Sequence, residues 1–155
     1  MSLPGTTGFE DPVLEAVADV WRPLVDELHT SPIGSLHGLR KGSGVEPRQR
    51  ILVMAHMDAI GLIVTRIVDG FIRIADARVM DSRILPGQPV IIHGRRPVPG
   101  VIVLPSPALL PPSIGRDEMV DREYLFVDTG LPAEEVEQLV RIGDPVSFDQ
   151  QPLDL

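Results

Sequence analysis

The chain has 155 residues, and 14 Lys and Arg against 22 Asp and Glu give it a formal charge of −8, which suits one domain or slightly more. The acidic balance and the lack of any basic run exclude a nucleic-acid backbone or an anionic membrane surface as the main partner. There is no cysteine, which excludes disulfides, thiolate zinc sites and a catalytic thiol, so any metal must be held by His, Asp or Glu.

Aromatic residues make up only 4% of a chain that is 43% hydrophobic, so the core must be built from Val, Ile and Leu, a composition that favours pleated sheets over a helical bundle. The first 10 residues lack a basic and apolar leader, and every apolar run is broken well short of a membrane span. The expectation is a soluble, cytoplasmic protein. With 14 glycines and 16 prolines, many turns and short elements should follow.

One long helix is predicted from Asp11 to Leu28, with Asp11 as N-cap, Pro12 at the tolerated first position, and Val13, Val17, Val20, Trp21, Leu24, Val25 and Leu28 on one apolar face. Pro23 falls inside this pattern and should kink or split the helix near Trp21. A loop is expected from Thr30 to Arg50, within which Gly42-Ser43-Gly44 lacks the spacing of a phosphate loop. The continuous apolar run Ile51 to Ala55 reads as a strand buried on both faces.

From about residue 60 the texture changes to short β segments: Gly61 to Ile67, a Val68-Asp69-Gly70 turn, Phe71 to Ala75, Gln88 to His93, Val98 to Leu104 and Tyr124 to Asp128. A short helix follows at Pro132 to Val140, with Glu134 and Glu135 in its first turn, and then a last strand at Pro145 to Phe148. This spacing predicts a small β-barrel or sandwich behind an α/β fragment, for a fold that is β-rich α+β overall.

Most of the chemical signal lies in Met54-Ala55-His56-Met57-Asp58, a His-x-Asp at the C-terminal end of the predicted buried strand. Ligands of open α/β sheets usually bind at such strand ends. A neutral imidazole at His56 suits a divalent metal, and a carboxylate at Asp58 can fix its tautomer and raise its basicity. The tripeptide spacing leaves a second reading open, in which His56 ends a strand and Asp58 caps a turn.

The longer stretch from Ile51 to Val64, with its core Ala55-His56-Met57-Asp58-Ala59-Ile60-Gly61, resembles the signature of the glutamyl aminopeptidase and cellulase-M-like family, metallopeptidase family M forty-two, which includes tetrahedral aminopeptidases. Gly8-Phe9-Glu10, Leu85 to Val90, Leu125 to Gly130 and Ile142 to Val146 resemble further segments of that family, in the right order over nearly the whole chain. The resemblance implies an α/β catalytic domain with two metal ions, zinc or cobalt, interrupted by an inserted PDZ-like barrel that mediates assembly into homo-oligomers. It implies hydrolysis of N-terminal residues from peptides by a metal-activated water, with His56 as a metal ligand and Asp58 orienting it. It also implies a division into residues 1–59, an incomplete part of the catalytic domain; 60–149, the inserted barrel; and 150–155, the start of the return to the catalytic domain.

Two departures accompany the match. Ala59 stands where the family commonly has glutamate, and Ser35 where it usually has asparagine. The family's remaining metal ligands and catalytic glutamates follow the barrel, so the expectation is that this chain alone is catalytically incomplete. Glu134 and Glu135 precede that region and read as the solvated start of a helix. His29, His37 and His93 have no partner at ligand spacing and read as surface or loop residues, and Asp76, Asp81 and Asp128 read as turn residues rather than a hydrolytic carboxylate pair. A competing expectation is a non-catalytic barrel module derived from the same family and retained for assembly.

Overall fold

A computed structural model of the chain describes residues 3–76, 80–106, 108, 110–111 and 121–150. The predicted return segment at 151–155 lies outside the described residues.

The N-terminal helix α1 runs over Asp11–Trp21, with Glu10 at the N-cap and Asp11 as its first helical residue. The expected extension to Leu28 does not form. Pro23 has no N–H to donate to the turn before it, so the regular helix ends at Trp21, with Arg22 at the C-cap still in helical backbone. The residues beyond it enter a hairpin where the sequence pattern predicts a helix end and a loop. Its strands β1, Glu27–Thr30, and β2, Leu36–Leu39, pair antiparallel. Gly38 lets this hairpin approach the helix end, since a Cβ there would sit 3.1 Å from Val25 and 3.2 Å from Trp21.

The remaining six strands are β3 (Leu62–Val68), β4 (Phe71–Asp76), β5 (Pro89–His93), β6 (Pro97–Val103), β7 (Phe126–Asp128) and β8 (Pro145–Phe148). They close into a barrel of order β3-β4-β7-β6-β5-β8, antiparallel at every joint. The predicted segments from residue 61 onward all appear, with small shifts at their ends. The largest shift is at Tyr124, which belongs to a 3-10 turn over Arg122–Tyr124 rather than to β7. Between β3 and β4 the turn residues Asp69 and Gly70 both have positive φ, 51° and 83°, which is the backbone a two-residue hairpin of matching twist requires.

Alternation places Leu62 and Val64 inside, but a bulge between Val64 and Arg66 resets the register, so that Ile67 again packs on the core. Ile72, Ile74, Val90, Ile92, Val98, Ile102, Val127 and Val146 fill the interior from the other strands. The helix α2, Ala133–Leu139, adds Val136 and is followed by Val140, both buried in the same cluster. The interior is dense enough that a Cβ at Gly100 would lie 2.5 Å from Cγ1 of Val127. The β-rich α+β fold with a small closed barrel is therefore present as expected.

Ile51 to Ala55 is a correction. This run joins no strand among the described residues, and Ile51 and Met54 are 88% and 81% exposed. A strand buried on both faces needs neighbours on each edge and a layer on each face, and no described element occupies those places.

His93 ends β5, as the predicted strand to His93 has it, but its reading as a surface residue is corrected: it is half-buried, with its Nε2 2.7 Å from the buried Ser147 hydroxyl. Burial lowers its pKa from the ordinary histidine value. A depressed folded-state pKa means the unfolded chain binds the proton more readily, so this contribution is intact above about pH 6.5 and is lost as the pH falls through the lowered value.

Ile92→Ala should destabilise the barrel by about 2–5 kcal/mol, whereas Ile51→Ala should change stability by less than about 0.5 kcal/mol, both read from urea unfolding. The urea midpoint should fall between about pH 7.5 and 5 more steeply in the unmodified protein than in His93→Gln.

Candidate functional site

The segment carrying His56 and Asp58 is held by the chain's own N-terminus. Thr6 forms a parallel bridge with Ala59, and the Ala59 N–H donates to the Gly5 carbonyl at 2.6 Å. Thr6 is buried, and it lies against Gly61 so closely that a Cβ at Gly61 would overlap its hydroxyl. Gly8, with φ of 90°, then turns the chain toward α1, and its N–H donates to Glu10 Oε1 at 2.9 Å. The Glu10 carboxylate is thus used in that turn, and no side chain caps the helix.

Within this clamp, His56 Nδ1 lies 2.9 Å from the backbone carbonyl of Asp58 and 3.1 Å from its carboxylate Oδ1. A carbonyl and an ionised carboxylate can only accept, so Nδ1 carries the proton and donates to both. The lone pair of the neutral ring is consequently on Nε2, and the ring projects into solvent with its side chain 86% exposed. Asp58 is the anchored partner, with its side chain only 20% exposed. Its second oxygen, Oδ2, accepts from the Thr7 hydroxyl at 3.0 Å. Sequence reasoning paired His56 with Asp58 but missed Thr7, which lies 51 positions away from Asp58 and reaches it only through the bridge at Thr6.

The donor set fits one ligand position of a metal centre: an imidazole with a fixed tautomer and a buttressed carboxylate behind it. It does not supply a complete centre, since no group of three or more His, Asp or Glu residues able to hold a metal occurs among the described residues.

The other acidic candidates have structural employment. Asp76 accepts from Met80 N–H at 3.0 Å, and Asp128 from Gly130 N–H at 2.8 Å. Asp81 caps the 3-10 turn at Ser82–Ile84 and pairs with Arg83, whose hydrogen bonds hold the Asp81 carboxyl down at about 2. Glu134 and Glu135 open α2, and Glu135 pairs with Arg96 at 3.1 Å. His29 and His37 are exposed as expected, but on paired strands rather than in a loop. No helix among the described residues is long and apolar enough to cross a membrane.

Residues 34–155 match the profile of the M42 glutamyl aminopeptidase family. An aminopeptidase structure from the archaeon Desulfurococcus kamchatkensis superposes with a TM-score of 0.84 at 35% identity, covering 99% of this chain and 42% of that one. The TET1 peptidase of Pyrococcus horikoshii, described as assembling into a tetrahedron or a large octahedral shell, gives a TM-score of 0.77 at 28% identity over 97% of this chain and 44% of its own. The lysyl aminopeptidase of Pyrococcus furiosus is 28% identical over 149 residues, which is 90% of this chain and 41% of that protein. The chain thus spans well under half the length of these relatives.

Nitrogen-detected NMR of the His56 ring should show the proton on Nδ1 in the unmodified protein. Asp58→Ala, which leaves only the backbone acceptor, should shift part of the population to the other tautomer, and Thr7→Val should shift it less.

Proposed function

Because the chain belongs to the M42 glutamyl aminopeptidase family, we propose that it forms the N-terminal portion of a di-metal aminopeptidase that removes N-terminal residues from peptides. The observation that supports this most directly is the His56–Asp58 pair, with Nδ1 held at 2.9 and 3.1 Å and the Nε2 lone pair turned outward, inside the segment that matches the family.

In this reading, His56 offers Nε2 to one divalent cation of a zinc or cobalt pair. Asp58 keeps the proton on Nδ1, fixes the ring's rotation and raises its basicity, and Thr7 in turn fixes the carboxylate. When bound, the metal pair supplies a hydrolytic nucleophile at neutral pH and polarises the scissile carbonyl. A catalytic site normally uses three protein ligands per metal, and no such group occurs among the described residues, so in this reading tight metal binding and turnover need the family's further ligands beside His56. Residues 1–59 then belong to the catalytic domain, 60–149 to the inserted PDZ-like assembly barrel and 150–155 to the return. The reading places the protein in the cytoplasm.

A second reading, a non-catalytic assembly module, is favoured by the barrel's self-contained core and by the exposed apolar residues Phe71, Val101 and Leu104 on and beside its strands. Relatives described as a dodecamer or as closed shells make a homo-oligomer through the barrel a reasonable form in either case.

At the His56 position the 155-residue protein should hold well below one zinc or cobalt per chain, so His56→Ala should leave its metal content by plasma mass spectrometry unchanged. Joined to the C-terminal part of a family member, it should hydrolyse aminoacyl p-nitroanilides, and His56→Ala should abolish that activity. An inactive but folded fusion, together with a metal-independent oligomer by light scattering, would leave the assembly module as the function.

A further inference from the structure

We propose that His29 and His37 form a surface site for one borderline divalent transition-metal cation, Ni²⁺, Cu²⁺ or Zn²⁺, separate from the His56 position. The two residues are eight positions apart in sequence, a spacing that carries no ligand signal on one helix or strand. The hairpin makes them direct cross-strand partners, in a register that also pairs Leu28 with Gly38 and Thr30 with Leu36. Gly38 faces Val25 and Trp21 at the end of α1, so the Leu28–Gly38 pair lies on the helix side of the ribbon. Alternation then places His29 and His37 together on the opposite face.

Their rings lie 4.8 Å apart between centroids and within 7° of parallel, and both residues are exposed. Among the described residues neither imidazole has a hydrogen-bond or ion-pair partner, so their nitrogens remain open to a ligand. Directly opposed side chains on paired strands have Cβ atoms only about 5 Å apart. A modest tilt of the two parallel rings brings one nitrogen of each within the metal–nitrogen distance of about 2.1 Å from a shared cation. The paired backbone has already brought the two donors together, and solvent completes the coordination shell. Glu27, on the same face, is paired with Lys41 at 3.1 Å and is not needed as a third ligand.

Two neutral imidazoles without a carboxylate select borderline cations over Mg²⁺ and Ca²⁺, which prefer oxygen ligands, and the expected order places Cu²⁺ above Ni²⁺ and Zn²⁺. The site does not depend on the aminopeptidase reading, because neither residue belongs to the segment carrying His56.

The test is calorimetric titration of NiCl2 and CuCl2 into the full 155-residue chain, run with and without His56→Ala so that binding at the other histidine is separated. One equivalent should bind in both proteins, MgCl2 should give no heat, and His29→Ala or His37→Ala should each weaken binding by about tenfold or more, because a chelate becomes a single donor. Should either substitution unfold the hairpin, the unmodified protein still decides the matter: sub-stoichiometric Cu²⁺ should broaden the amide signals of residues 28–30 and 36–38 first. Unchanged affinity in both folded variants, loss of binding only in His56→Ala, or broadening centred on His56 or His93 would overturn the proposal.

Discussion

The pairing of β3 with β8 is the joint on which the barrel depends. It brings the first strand of the unit against the last, through Leu62 opposite Val146 and Ile63 opposite Pro145. Two further backbone bonds continue it beyond the ladder, from Val64 N–H to the Asp144 carbonyl at 3.0 Å and from Gly143 N–H to the Val64 carbonyl at 2.8 Å. Without this joint the other strands would form an open sheet with two exposed edges, and the inner faces of β3 and β8 would meet water. Closure is what converts short strands of Val, Ile and Leu, with few aromatic residues among them, into a complete core.

The same joint has a consequence for the chemistry. Leu62 opens β3 only six residues after His56, so the barrel fixes where the His-x-Asp segment must emerge. On its other side that segment is held by Thr6, which bridges Ala59 and lies against Gly61. The imidazole and carboxylate are thus anchored between the closed barrel and the bridge at Thr6, although they lie on no strand or helix. The contrast with Ile51 to Met54 is physical. That run has the composition of a buried strand but no neighbouring strand among the described residues, and it stays exposed, whereas Asp58 bonds to Thr7 and His56 and is largely covered.

Much of the architecture was legible from local signals. Asp69-Gly70 marks its hairpin because few residue pairs adopt positive φ twice in succession, and Pro145 to Phe148 matches its predicted bounds because proline and the Gly143-Asp144 turn bound it. The helix end was half legible: Pro23 marked the break, but the apolar spacing of Leu24, Val25 and Leu28 also suited a helix face and hid the strand beginning at Glu27. Periodicity is ambiguous over so few residues, and the packing of Gly38 on Trp21 and Val25 settles it in favour of a hairpin.

For the site, His56 and Asp58 could be coupled from sequence because two residues on a short segment have little freedom to avoid one another. Thr7 could not, because its approach to Asp58 is set by a bridge across 51 positions. The same limit applies to His29 with His37 and to His93 with Ser147, pairs created by strand register and by closure of the barrel. Amino-acid order determined the turns, the alternation of apolar residues and the local histidine–carboxylate pair, since these depend on backbone preferences over a few residues. Which distant groups meet, which apolar run stays bare and which histidine is half-buried were decided by the folded chain, because those outcomes depend on what lies across the sheet rather than along it.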